Sequence, residues 1–133
     1  MATLQHSTHT VTIDAPFHIA WNYVSDWRNQ PEWAVNFVKS VRQDDDQIYM
    51  TTVFGESAIE WRVDHTLGTV DILSADGSMT PTRLLQLGDN LLYSFTFSMP
   101  ADIPPHILKE GQENMDEELL MLKQIVEKLA SER

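Results

Sequence analysis

The chain has 133 residues, enough for one domain and too few for two ordinary ones, and at this length folding buries roughly two-thirds of the surface of the unfolded chain. Its formal net charge of −11 disfavours nucleic acid and anionic membrane surfaces, which are bound mainly through Lys and Arg. It has no cysteine, which excludes disulfides, thiol nucleophiles, Cys-bound zinc and iron–sulfur clusters.

Residues 1–7 read as a loose polar tail without an apolar signal segment, so cytoplasmic residence is the expectation. No run approaches the roughly 18 apolar residues of a membrane span, and no membrane insertion is expected. His9 to Asp14 alternates, with Val11 and Ile13 on one face, and predicts a short strand. Asp14 then precedes Ala15 and Pro16, a cap-and-proline helix start. Phe17, Ala20, Trp21 and Val24 follow at i, i+3, i+4 and i+7, one apolar stripe on a helix over 16–25. Pro31 disfavours helical geometry at Gln30, so Asp26 to Trp33 reads as a turn and a second short helix.

The middle of the chain is β. Segments 35–43 and 47–54 flank an acidic turn, Asp44-Asp45-Asp46. Over 57–66, Ile59, Trp61, Val63 and His65 share one face, and Glu60, Arg62 and Asp64 the other. Strands over 69–74, 78–87 and 91–99 follow, separated by Asp76-Gly77 and Gly88-Asp89-Asn90. In the last of these Leu91, Tyr93, Phe95 and Phe97 share a face. From about Pro105 to Ala130 the pattern is helical, with Leu108, Met115, Leu119, Leu122, Val126 and Leu129 stepping mostly by three and four. About 25 helical residues span nearly 40 Å. A helix that long with one apolar stripe must lie across a sheet. The expected fold is therefore α+β. About six to seven antiparallel strands curve around a long C-terminal helix, with two short helices after the first strand, the helix-grip arrangement.

Val11-Thr12-Ile13-Asp14-Ala15-Pro16 runs into Ala20-Trp21-Asn22-Tyr23-Val24-Ser25-Asp26, then Trp27 and Gln30-Pro31-Glu32-Trp33. This opening resembles that of the START-like superfamily, also called SRPBCC, and within it the polyketide cyclase/dehydrase and lipid transport group. The resemblance is sharp over 10–33 and elsewhere rests on element order. It implies a hydrophobic ligand held between sheet and long helix. It does not choose between carriers and enzymes, since only some members catalyse a reaction.

An empty apolar cavity of about 300 Å³ would cost about 7 kcal/mol at roughly 24 cal/mol per Å³, comparable to the stability of a whole domain. The space is therefore occupied by a ligand, by water on polar walls, or by large side chains, and the aromatic residues favour a narrow pocket. Strand parity and the helix stripe assign the ligand-binding set Trp33, Tyr49, Trp61, Val63, His65, Arg83, Leu85, Tyr93, Phe95, Met115, Leu119 and Leu122. His65 could act as a general acid or base, and a buried Tyr93 phenol needs a hydrogen-bond partner. An inward Arg83 would bind a carboxylate or enolate, whereas a bulge near Pro81 would turn it to solvent. His65, Tyr93 and Arg83 are thus the candidates for catalysis, with no catalytic role assigned. The bland reading makes each a hydrogen-bonded core or surface residue. Tyr49 has no settled facing, Trp27 and Trp33 cover the cavity mouth or plug the short helices, and Asp26 and Glu32 read as caps. Gly111 costs about 1 kcal/mol inside a helix and marks a close approach or a kink. No histidine pair has metal-ligand spacing, and neither a metal nor a cofactor is expected.

Three functions compete. A carrier for a small hydrophobic or amphipathic molecule (lipid-like, aromatic or polyketide-like) needs a continuous apolar lining with one or two polar anchors. A cyclase or dehydratase needs acid/base groups converging inside the cavity. A protein-interaction module, including a homodimer, needs a filled core and an exposed apolar patch.

Overall fold

The computed structural model describes residues 3–132. One antiparallel sheet of eight strands carries the fold. The strands are β1 (Leu4–Ile13), β2 (Val38–Asp44), β3 (Gln47–Thr52), β4 (Gly55–Asp64), β5 (Thr69–Ser74), β6 (Met79–Thr80), β7 (Thr82–Leu87) and β8 (Asn90–Pro100). The order is β1-β8-β7-β5-β4-β3-β2, with the two-residue β6 paired to β5 beside the main path. Between β1 and β2 lie helix α1 (Phe17–Val24), a 3₁₀ turn over Trp27–Asn29 and helix α2 (Gln30–Trp33). Helix α3 (Pro105–Ser131) closes the chain and covers one face of the sheet. The α+β helix-grip expectation holds, with one strand more than the upper count.

Three local differences have physical causes. The stretch expected as a loose tail is strand from Leu4 onward, paired with β8 from Leu4↔Pro100 to Ile13↔Leu91. Its faces are too polar for a burial pattern to reveal it. Cross-strand polar bonds hold it instead, with His6 Nδ1 2.8 Å from Ser98 Oγ and Thr8 Oγ1 2.9 Å from Thr96 Oγ1. Asp14 does not cap α1; Pro16 occupies the N-cap, and the Asp14 N–H donates to Glu127 Oε2 at 2.8 Å. The strand expected over 78–87 is broken at Pro81, which has no N–H to donate and whose carbonyl accepts from Thr96 N–H at 3.1 Å. That break reverses the parity of β7. Thr82 and Leu84 face the core, and Arg83 and Leu87 are exposed.

The core is asymmetric along α3. Its C-terminal half buries Leu119, Leu122 and Val126 against α1, β1 and the sheet, with Ile13, Ala20, Val24, Leu84 and Leu91 around them. At this end Phe17 stacks on Trp21, and the Trp61 indole N–H donates to Ser25 O at 2.8 Å. Gly68 allows the β4–β5 turn to meet β7. Its φ is +71°, Leu84 N–H donates to its carbonyl at 2.7 Å, and an added Cβ would run into Leu84 O. The N-terminal half of α3 does not reach the sheet in the same way, and the space beneath it defines the site.

Candidate functional site

A cavity of about 1030 Å³ lies between the N-terminal half of α3 and the concave face of the sheet. This is wider than the aromatic content suggests. The reason is where the tryptophans go: Trp21 and Trp61 seal the α1 end, and Trp27 sits in the 3₁₀ turn under the Arg28 guanidinium. Only Trp33 lines the cavity, with its ring edge-on to Tyr93 at 5.8 Å. Met50, Ile59 and Ile72 come from β3, β4 and β5; Phe95, Phe97 and Met99 from β8; and Ile107, Leu108, Gly111 and Met115 from α3. Nothing lies within 4 Å of a Cβ placed on Gly111, so its missing side chain is part of the open space. The rim is apolar. Val53, Met79 and Ile107 are exposed there, and Phe54, on the β3–β4 turn, is 84% exposed with its ring edge-on to Phe37.

Toward α2 the lining becomes polar. Glu118 is only 4% exposed, on α3, and its Oε2 accepts from the backbone N–H groups of Asn36 at 2.9 Å and Phe37 at 3.2 Å. Burial pushes its carboxyl above the usual carboxylate range, against the opposing pull of those two N–H groups. Its Oε1 takes no hydrogen bond among the described residues. Burial pushes the Tyr93 phenol above its ordinary value, the neighbouring Thr82 side chain opposes that rise, and the Glu118 charge adds to it. Gln30 and Thr82 complete the buried polar set, and Asn36 Nδ2 is buried without a partner among the described residues. An apolar chamber with one polar end suits an amphipathic guest.

The twelve residues assigned from the sequence divide by position. Trp33, Tyr93, Phe95 and Met115 line the cavity. Leu119 and Leu122 lie one and two turns too far along α3, at 2% and 0% exposure, packed in the solid core. Trp61 and His65 are on the expected face but at the α1 end, where His65 meets the rings of Phe17 and Trp21 edge-on at 5.5 and 5.4 Å. Val63, between them, is exposed. Tyr49 points to the convex face, where the Arg42 guanidinium covers its ring at 4.3 Å. Leu85 shares that outer face with its ladder partner Leu92, by the parity change at Pro81. Arg83 is exposed and donates through Nε to Leu67 O at 3.3 Å. His65, Tyr93 and Arg83 therefore do not converge. Of the two expected caps, Asp26 accepts from Arg28 N–H at 3.0 Å, whereas Glu32 accepts from the Tyr23 hydroxyl at 2.6 Å.

Sequence reasoning missed Glu118. Its signal was present: Met115, Glu118 and Leu122 occupy i, i+3 and i+7, so a carboxylate stands inside the apolar stripe. A second cluster lies outside the cavity lining, with Ser7 Oγ 3.0 Å from His9 Nε2 and His9 Nδ1 2.9 Å from Asp116 Oδ1. It ties α3 to β1. Among the described residues no group of three or more His, Asp or Glu is placed to hold a metal, and no helix is long and apolar enough to cross a membrane.

No family model matches the chain, and no curated protein does. Solved structures do. A START superfamily protein from Mycobacterium smegmatis matches with TM-score 0.66 and 17% identity, over 93% of this chain and 98% of that one. The protein XoxI from Bacillus cereus matches with TM-score 0.70 and 12% identity, over 95% and 96%. The Aha1 dimer from Colwellia psychrerythraea matches with TM-score 0.69 and 14% identity, over 92% and 96%. The chain has the START-like fold. At these identities the likeness is one of architecture, and the START-like architecture found here agrees with the resemblance of segment 10–33.

Proposed function

We propose that this START-like chain is a binding or carrier protein for one small hydrophobic or amphipathic molecule, held between the sheet and α3. The observation that carries the reading is the cavity of about 1030 Å³, apolar along most of its wall, with a buried polar end around Glu118, Tyr93, Thr82, Gln30 and Asn36. Without a guest, the apolar part of this wall stays in contact with water, at roughly 25 cal/mol per Å² of apolar surface left unburied. A guest that covers the wall removes that cost. The similarity of segment 10–33 to the polyketide cyclase and lipid transport group points the same way.

A proton-transfer enzyme is the second reading, and one observation favours it: Glu118 and Tyr93 place two acid/base groups in the cavity. They take the role that His65 and Arg83 cannot fill from outside. Native mass spectrometry of the purified chain, followed by organic extraction, tests the carrier reading. The expected result is one small molecule per chain that is released by extraction. Chemical change of that molecule on incubation would promote the enzyme reading.

A further inference from the structure

The charged residues of the cavity wall have one sign. Glu56, Asp76, Glu110 and Glu118 line it, and among the described lining residues there is no Lys, Arg or His. Two of the four are engaged locally. Glu56 is bridged to Arg42 at 2.9 Å, and Asp76 accepts from the Ser78 hydroxyl at 2.6 Å. Glu110 is exposed at the rim, and Glu118 is the buried one. The field along the path from rim to polar end is therefore negative, on a chain already carrying −11. A fatty acid or phosphate head would meet no counter-charge.

The remaining wall complements a cation. The rings of Phe54, Phe37, Phe97, Phe95, Trp33 and Tyr93 lead from the rim to the polar end, and aromatic faces attract ammonium groups in desolvated sites. At that end the free Glu118 Oε1 offers a charge-assisted hydrogen bond. The other groups acting on Glu118 are Lys39 on β2, Glu117 on α3 and Tyr93 on β8, so no single counter-ion already saturates it.

We propose that the ligand is a hydrophobic cation: a protonated or quaternary amine on an aromatic or alkyl body, its nitrogen at Glu118 and its body along the aromatic wall. This rests on the carrier reading above and names the chemical class of its guest.

Calorimetric titration at neutral pH with three probes of one shape separates the ideas: 1-naphthylmethylamine, 1-naphthylmethanol and 1-naphthoic acid, which carry positive, zero and negative charge. The amine should bind at least about ten-fold tighter than the alcohol, the worth of one hydrogen bond to a charged group, and the acid weakest. Glu118→Gln keeps an oxygen for the Asn36 and Phe37 N–H groups. It should bring the amine level with the alcohol, while an unchanged circular dichroism spectrum and a cooperative urea transition report an intact fold. An alcohol or acid that binds as tightly as the amine overturns the proposal while the carrier reading stands. An amine preference that survives in Glu118→Gln overturns the assignment to Glu118. Failure of all three probes to bind the wild-type chain overturns the carrier reading itself.

Discussion

Gly111→Leu should stabilise the protein and weaken its ligand binding at once. Gly111 is an interior residue of α3 with an ordinary helical backbone, and a Cβ added there meets nothing within 4 Å. Replacing glycine in a helix gains about 0.8–1.0 kcal/mol for Ala and nearly as much for Leu. The new side chain also enters the cavity beside Leu108 and Met115. Full burial of a leucine is worth about 1.5–3 kcal/mol, and partial burial here adds on the order of 1 kcal/mol. The sum is about 2 kcal/mol, which for a domain of this length raises Tm by on the order of 8 °C. Urea unfolding followed by circular dichroism measures the stability, and the wild-type and Gly111→Ala chains serve as references. The same leucine occupies space the guest needs, so 1-naphthylmethanol affinity should fall by about ten-fold, or 1.4 kcal/mol. Gly111→Ala should gain about 1 kcal/mol and bind nearly as the wild type. A destabilised Gly111→Leu, or one with undiminished affinity, would refute the view that open space lies beneath this half of α3.

Gly68→Ala should be severe, at about 3–4 kcal/mol, because it combines a left-handed backbone cost of about 1–2 kcal/mol with the loss of the Leu84–Gly68 hydrogen bond and a shift of the buried Leu84 strand; a urea midpoint close to wild type would contradict the backbone contact. Glu118→Gln should flatten the pH dependence of stability. With its folded carboxyl held above the usual range by burial, the native state keeps a proton that the unfolded chain releases. The wild type's stability contribution from Glu118 is therefore full below the ordinary carboxylate range and lost as pH rises through the raised value. Denaturant midpoints between pH 4 and 7 should show the wild type losing ground to Glu118→Gln on the alkaline side. His65→Ala should leave affinity for 1-naphthylmethanol unchanged, since His65 packs on Phe17 and Trp21 away from the cavity, and a ten-fold loss by calorimetry would put the binding site at the wrong end.

Much of the architecture was legible because it follows from periodicity. The stripe through Met115, Leu119, Leu122 and Val126 marked α3, and the alternation from Leu91 to Phe97 fixed the facing of β8. What failed had no period to read. Strand β1 begins at Leu4 because its polar side chains pair with β8; its burial alternates, but the inward positions Gln5, Ser7 and His9 are polar and leave no hydrophobic alternation in the sequence. Arg83 and Leu85 were turned outward by one residue, Pro81, whose break resets the parity of everything after it in that strand; the sequence marks the proline but not the resulting register. Leu119, Leu122 and Trp61 lie on the right faces and outside the cavity, since facing is a local property whereas the depth of a cavity along an element depends on what packs across from it. Glu118 escaped notice for the opposite reason. A carboxylate on a helix is usually solvated, and here the Asn36 and Phe37 N–H groups beyond α2 hold it inside.

The occupancy of the space under α3 can be read atom by atom. In a solution of the full chain with 1-naphthylmethanol, intermolecular nuclear Overhauser effects should connect the naphthalene ring to the methyl groups of Met50, Ile59 and Met115, in a saturable one-to-one complex. A ring that reports only on outer-face residues such as Leu85 and Leu92, or that shows no saturable binding, would contradict the assignment of this cavity as a ligand site.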